Sequence, residues 1–248
     1  MTPSDTAKIL ILSNAAGVQT PALEMISEAA VLDQVIAVES SLSALGYQAK
    51  HVSIRNLIEL LEALDGYSPE LVFNLCEGLD GNSAFESHVA AVLELQGIPF
   101  TGNNALTLAL ARNKNLSKKI LRSSGILTPE WIFCREIPCA LPAGLHFPLI
   151  CKPACEDASL GIPAQAVARD LPGLHQNLEL LLSRFSHEGV LVEEFIPGRE
   201  FNVALLPDSE GIRALPPSEI DFSCLPPGEE AIVSYSAKWL EEDVLYQN

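Results

Sequence analysis

Basic residues are scarce in this chain. Fifteen Lys and Arg stand against 32 Asp and Glu, giving a net charge of −17. So few cations argue against nucleic acid as a partner, because counterion release along a polyphosphate backbone needs many of them. No apolar run approaches the ~20 residues of a bilayer span. Residues 1–5 lack the basic start and apolar middle of a secretory signal. No membrane partner is expected, and the location expected is cytoplasmic. The six cysteines form no CxxC pair and show no zinc-like spacing with the five histidines. Reduced, structural thiols are expected, with redox modification as the alternative for Cys151 and Cys155, which flank a loop as CxxxC. Two phosphate-binding signatures are missing as well. No G-x-G-x-x-G follows the apolar stretch Lys8–Ser13, which disfavours a dinucleotide-binding protein, and no GxxxxGK[ST] occurs, which sets aside the P-loop NTPases.

What is present is a chain of 248 residues, 48% hydrophobic in short runs broken by charge. That is enough for a substantial core and for about one to three domains. The first hundred residues alternate between strand and helix patterns. Strands are expected at Lys8–Ser13, Gln48–Ile54 and Glu70–Leu75, and helices at Ala22–Leu45, Leu57–Leu64 and Ala84–Gln96. Such alternation implies a parallel, Rossmann-like sheet with helices on both faces. Ligands of such sheets lie beyond the C-terminal strand ends, here near Ser13–Val18 and Leu75–Asn82. Ala105–Ser124 reads as a helical stretch bearing Arg112, Lys114, Lys118, Lys119 and Arg122. From Trp131 strands dominate around one helix at Leu171–Phe185, the pattern of a small α+β domain. The division is therefore residues 1–104, a helical connector 105–129, an α+β region 130–205 and a proline-rich, unfinished region 206–248.

The chemistry concentrates in two blocks. In Phe147–Gly161, Lys152 stands at the end of an apolar run, followed by Pro153 and a loop with small residues at Ala158, Ser159 and Gly161. A buried lysine needs an anion. Either Glu156, Asp157 or Glu193 pairs with it, or it meets phosphate, whose oxygens the backbone N–H groups of a loop free of bulk can also approach. In Val190–Glu200, Glu193 and Glu194 continue a strand, so their side chains face opposite sides, one toward a ligand and one toward solvent. The turn Phe195-Ile-Pro-Gly198 offers free backbone groups to a purine edge, and Glu200 follows it, placed to accept from ribose hydroxyls. Each glutamate alone reads equally as solvated surface charge. Lys114 opens a helix after Asn113, a natural N-cap, and a helix N-terminus with a lysine suits phosphate. Lys238, within Tyr235-Ser-Ala-Lys-Trp239, is a further candidate phosphate contact.

Together these features resemble the ATP-grasp ligases, and within them the D-alanine–D-alanine ligase group. The resemblance runs from about Pro69 to Trp239. It is carried by Leu71-Val-Phe-Asn-Leu-Cys-Glu-Gly78, Leu95-Gln-Gly-Ile-Pro-Phe-Thr-Gly102, Asn113–Lys118, Gly125-Ile-Leu-Thr-Pro129, the Lys152 loop, Glu193–Glu200 and Tyr235–Trp239. It implies a Rossmann-like domain followed by the small ATP-grasp subdomain and the start of a C-terminal one. It also implies ATP as cofactor: Lys114 and Lys152 on phosphates, Ser159 in the loop closing over them, and Glu193, Glu194 and Ile196 at adenine, the latter two through backbone. Glu200 would take the ribose and Lys238 the phosphates. The family's reaction phosphorylates a carboxylate, and an amine attacks the resulting acyl phosphate. Small amino acid or peptide substrates, magnesium, a role in cell-wall biogenesis and compatibility with a homodimer are implied with it.

The chain departs from the family pattern in three places, one of them the absence of the arginine and serine or glycine groups that the family sets on the substrate carboxylate. The family's magnesium ligands are an acid followed by Glu-x-Asn, and neither Glu219-Ile-Asp221 nor Glu241-Glu-Asp243 carries that order. The N-terminal glycine-rich loop is represented only by Asn14-Ala-Ala-Gly-Val18. The expectation is therefore a C-terminally incomplete ligase, with nucleotide residues present, metal residues absent and poor turnover. The alternatives are a non-catalytic or regulatory nucleotide-binding protein, and a Rossmann-type binding protein using the first domain alone.

Overall fold

Four consecutive apolar residues, Ile9–Leu12, anchor β1 (Lys8–Asn14) at the centre of the first sheet. It pairs in parallel with β2 (Gln48–Ile54) and β3 (Leu71–Leu75), in the order β2-β1-β3, and Phe100 adds a parallel bridge beyond β3 at Val72. The structure is a computed structural model that describes residues 7–15, 22–157, 159–160, 162, 166–225 and 229–239, with side chains in the first helix from Val31 onward. It divides into two compact units, Met1–Ile120 with Cys155–Asp157, and Leu121–Ala154 with Ala158–Asn248.

In the first unit, strand alternation feeds two cores. Leu10 and Leu12 point to one face, where they meet Ile54, Leu60, Leu64, Val72, Val89 and Leu93. Helices α2 (Leu57–Tyr67) and α3 (Glu86–Leu95) supply the covering residues there. Ile11 points to the other face and packs on Val31 and Val35 of α1 (Ala22–Ala44). Each such side chain, fully buried, contributes about 1.5–3 kcal/mol. Helix α2 starts where its sequence dictates. The Asn56 side chain accepts the Glu59 N–H at 3.0 Å, and the Glu59 carboxylate accepts the Arg55 N–H at 2.8 Å, a reciprocal N-terminal cap. It runs a turn past Leu64 because Tyr67 packs against the same core.

The expected helix Ala84–Gln96 is shorter, a 3-10 turn at Ser83–Phe85 followed by α3. The helical stretch 105–124 consists of α4 (Ala105–Arg112) and α5 (Lys114–Ser123), the second opening at Lys114 as the N-cap at Asn113 implies. Asn113 leaves helical geometry (φ −87°, ψ 89°), and its side chain accepts the Leu116 N–H at 3.0 Å, capping α5. Asparagine competes with the helix for exactly these backbone donors, so the break falls on it.

The second unit is built on a four-stranded antiparallel sheet, in the order β4-β7-β5-β6. Its strands are β4 (Trp131–Cys134), β5 (Leu149–Pro153), β6 (Val167–Ala168) and β7 (Val190–Glu194). Helix α6 (Leu171–Phe185) has the bounds its periodicity implies, because Asp170 caps it by accepting the Gly173 N–H at 2.9 Å. Its Leu174, Leu178 and Leu181 pack on Leu149, Cys151, Val190 and Val192. The opposite face carries Ile150, with Ala166, Phe195 and Ile232. Two short ribbons follow, β8 (Glu200–Asn202) with β11 (Ser218–Ile220), and β9 (Leu205–Asp208) with β10 (Gly211–Ala214). Helix α7 (Tyr235–Trp239) closes the described chain. Among the described residues, no helix is long and apolar enough to cross a membrane.

Candidate functional site

Antiparallel pairing of β5 and β7 sets Lys152 opposite Leu191 and Ile150 opposite Glu193. All four therefore share one face, and Lys152 and Glu193 are diagonal neighbours across the two strands. Their side chains meet. The Lys152 ammonium donates to Glu193 Oε1 at 2.6 Å, with the side chains 27% and 10% exposed respectively. This settles which of the three candidate carboxylates pairs with the lysine. The face concerned is the one opposite α6, carrying Ile150, Ile232 and Phe195.

Glu194, one residue on, points to the other face. It does not point freely to solvent as the alternation alone implied: its carboxylate accepts the His146 N–H at 3.1 Å and lies 3.2 Å from His146 Nδ1. Its N–H donates to Glu130 O, and the Phe195 N–H donates to Pro148 O, both at 2.9 Å. From Ile196 the chain leaves the sheet and is exposed through Glu200, which begins β8 opposite Ile220.

The loop after Lys152 is tied at described points. Ser159 adopts a left-handed conformation (φ +61°) and its hydroxyl donates to Val233 O at 2.8 Å. The Ile162 N–H donates to Ser159 O at 2.9 Å, and the Tyr235 N–H to Ile162 O at 3.0 Å. Val233 and the first residue of α7 thus hold this loop. Lys238, on α7, is exposed, its ammonium 5.3 Å from the Trp239 ring centre. Ala158, Gly161, Glu241–Asp243 and residues 16–18 of the N-terminal loop lie outside the described residues.

Lys114 belongs to the first unit. Its ammonium donates to the Glu156 carbonyl and lies 3.7 Å from Asp157 Oδ1. Beside it Arg112 contacts Ser83 Oγ at 3.1 Å and Glu156 Oε1 at 3.5 Å. Burial, then the neighbouring Asp157 and Glu77 charges, raise the Glu86 carboxyl above its ordinary range, while Arg112 opposes them. The roles of Arg112, Ser83 and His146 had no local sequence signal, since their partners lie 29 to 48 residues away.

The acidic pair Glu219 and Asp221 has local partners. Arg199 grips Glu219 with two N–H groups at 2.6 and 2.5 Å, and the Ser223 N–H reaches Asp221 at 2.8 Å. Hydrogen bonding by these partners lowers both carboxyls. No group of three His, Cys, Asp or Glu side chains able to hold a metal ion occurs among the described residues. Two open cavities, of about 320 and 500 Å³, are lined by other residues, the first around Leu57, Ile58 and Phe85, the second around Ile132–Glu136.

All six cysteines are free thiols. Burial pushes Cys76 and Cys151 up to about 12 and Cys134 up to about 11. A thiol so protonated is a poor nucleophile. With a disulfide reagent at pH 8, the native chain should react first at exposed Cys139 and leave Cys76, Cys134 and Cys151 intact, as peptide mass mapping would read out. Prompt labelling of Cys151 would contradict the closed sheet around it.

Comparison with known proteins places this geometry. The family model described as D-ala D-ala ligase C-terminus matches residues 119–247. An uncharacterized protein of Sinorhizobium fredii is 35% identical over 170 residues, covering 68% of this chain and 48% of that protein. The D-alanine–D-alanine ligase of Pelagibacter ubique is 31% identical over 153 residues, covering 59% of this chain and 47% of the enzyme. That of Halorhodospira halophila is 30% identical over 207 residues, with 84% and 61% covered. The chain spans about half the length of the first of these relatives, 48% and 47%. Among solved structures, the D-alanine–D-alanine ligase of Bacillus anthracis complexed with ATP superposes with a TM-score of 0.65 at 22% identity, covering 88% of this chain and 67% of that one. The Helicobacter pylori enzyme gives 0.63 at 20% identity, with 88% and 76% covered. The fold is shared with these ATP-grasp enzymes.

Proposed function

Because the chain belongs to the D-alanine–D-alanine ligase family, we propose that it is an ATP-dependent carboxylate–amine ligase acting on small amino acid or peptide substrates in the cytoplasm. The observation that carries the reading is the Lys152–Glu193 pair, one cation and one carboxylate on a single sheet face. Beside it the chain leaves the sheet at Ile196 and exposes Glu200. That donor set fits a nucleoside triphosphate. Lys152 and Lys114 would neutralise phosphate oxygens, Ser159 would position the loop over them, and Lys238 would add a further cation. Glu193, with the backbone of Glu194 and Ile196, would take the adenine edge, and Glu200 the ribose. ATP, when bound, supplies the phosphoryl group that makes a carboxylate electrophilic. The chain's own part is positioning and charge neutralisation. Magnesium is expected of the family, but the described residues do not provide its ligand set, and no residue here is given that role. The division into 1–104, 105–129, 130–205 and 206–248 is kept as the working domain scheme.

A second reading, a nucleotide-binding protein without turnover, is favoured by one sequence observation: neither acidic triplet, 219–221 or 241–243, has the acid-then-Glu-x-Asn order. Calorimetric titration of the purified chain with ATP tests the shared premise, and an ADP-release assay with D-alanine and magnesium separates the readings. Binding with release supports the ligase, and binding without release supports the second reading. No heat and no protection from thermal unfolding at millimolar ATP would overturn both.

A further inference from the structure

Lys152 and Glu193 are each wanted elsewhere if the nucleotide reading holds, the lysine on phosphate and the glutamate on the adenine amine. In the nucleotide-free chain they hold each other, at 2.6 Å. Neither can leave alone. Glu193 is only 10% exposed, and a carboxylate so enclosed that loses its cation has little water to replace it. Lys152 likewise stands on a sheet face whose neighbours Ile150 and Leu191 are buried and apolar. The pair therefore opens at low cost only when both ends find new partners together.

We infer that the Lys152–Glu193 ion pair is an exchange switch, which makes occupation of the phosphate position and recognition of the base cooperative. This rests on the nucleotide reading above and adds to it a coupling between two parts of one site. An anion on the phosphate side draws the ammonium away and vacates Glu193 Oε1 for another donor. The exocyclic amine of adenine provides one, whereas the carbonyl at the same position of guanine presents an acceptor and is repelled. Phosphate contact thereby sharpens the choice of base. Glu194 does not share this role, because it stands on the opposite face against His146.

The coupling is measurable with the two halves of the ligand supplied separately. Adenosine is titrated into the full chain with and without saturating inorganic tripolyphosphate, by calorimetry. The exchange predicts that tripolyphosphate tightens adenosine binding by about fivefold or more, and that adenosine tightens tripolyphosphate binding by the same factor. Glu193→Gln, nearly isosteric, should abolish the coupling while strengthening tripolyphosphate binding on its own. Glu179→Gln, removing the same charge from the exposed face of α6, should leave the coupling in place. Equal or weaker adenosine binding in the presence of tripolyphosphate would overturn the switch, as would loss of coupling in both variants. A chain that binds ATP without coupling between the halves refutes the exchange and keeps the nucleotide site. A chain that binds neither ATP nor its halves refutes the nucleotide reading itself.

Discussion

Lys152→Met should abolish ATP binding in a calorimetric titration and also destabilise the folded chain by about 3 kcal/mol, the low end for breaking a largely buried pair. The sequence alone suggests a milder result, loss of binding with the fold untouched, because a lysine removes charge without emptying an apolar core. The structure changes that expectation. Glu193 is 10% exposed and loses the ammonium that lies 2.6 Å from it. Losing that cation in so enclosed a place costs more than the lost attraction, since less of the desolvation is compensated. The paired replacement Lys152→Met with Glu193→Leu should recover most of the stability and none of the binding. Urea midpoints at neutral pH distinguish the cases. A single Lys152→Met variant as stable as the parent would show that the pair does not form in solution.

Gly189→Ala should be costly through the backbone and its packing, with the melting temperature falling by about 5–10 °C. Gly189 precedes β7 in a left-handed conformation, φ +82°. An added Cβ would stand 2.5 Å from Phe133 Cζ and 3.0 Å from the Cys134 carbonyl oxygen. The conformation costs an L-residue roughly 1–2 kcal/mol, and overpacking adds about 1–3 kcal/mol. The Phe133 ring is 37% exposed and can swing outward, but the carbonyl belongs to β4 and cannot. Gly189 O also accepts the Ala154 N–H at 3.0 Å, so displacement there shifts the exit of β5 just after Lys152. A melting temperature within a degree of the parent would show that the α6–β7 turn relaxes freely.

Much of the fold is legible in the sequence where one local signal decides it. Leu171–Phe185 is bounded by an N-cap aspartate and an apolar stripe, and the helix has those ends. The apolar run in Lys8–Ser13 gives the central strand directly, and the strand runs one residue further, to Asn14. The start of α5 is legible too, because Asn113 before Lys114 is an N-cap signal inside the helical stretch 105–124, and its side chain caps the helix there. For the site, the sequence identifies Lys152 and its three possible anions but cannot choose among them. Glu156 and Asp157 are nearer in sequence, yet Glu156 contacts Arg112 and Asp157 lies by Lys114. The choice of Glu193 depends on strand register, a relation between residues 41 apart that no local pattern encodes. The same holds for His146 and Glu194, 48 apart.

The parity of β7 carries a consequence for how this family can vary. Val190, Val192 and Glu194 belong to the α6 side, Leu191 and Glu193 to the other. Deleting one residue between Gly189 and Glu193 would turn the strand over as a unit. The Glu193 carboxylate would then land among the leucines of α6, and a valine would face Lys152. Length in this segment is thus as constrained as identity: point substitutions can drift one at a time, whereas a single-codon deletion would exchange the two faces of the strand at once.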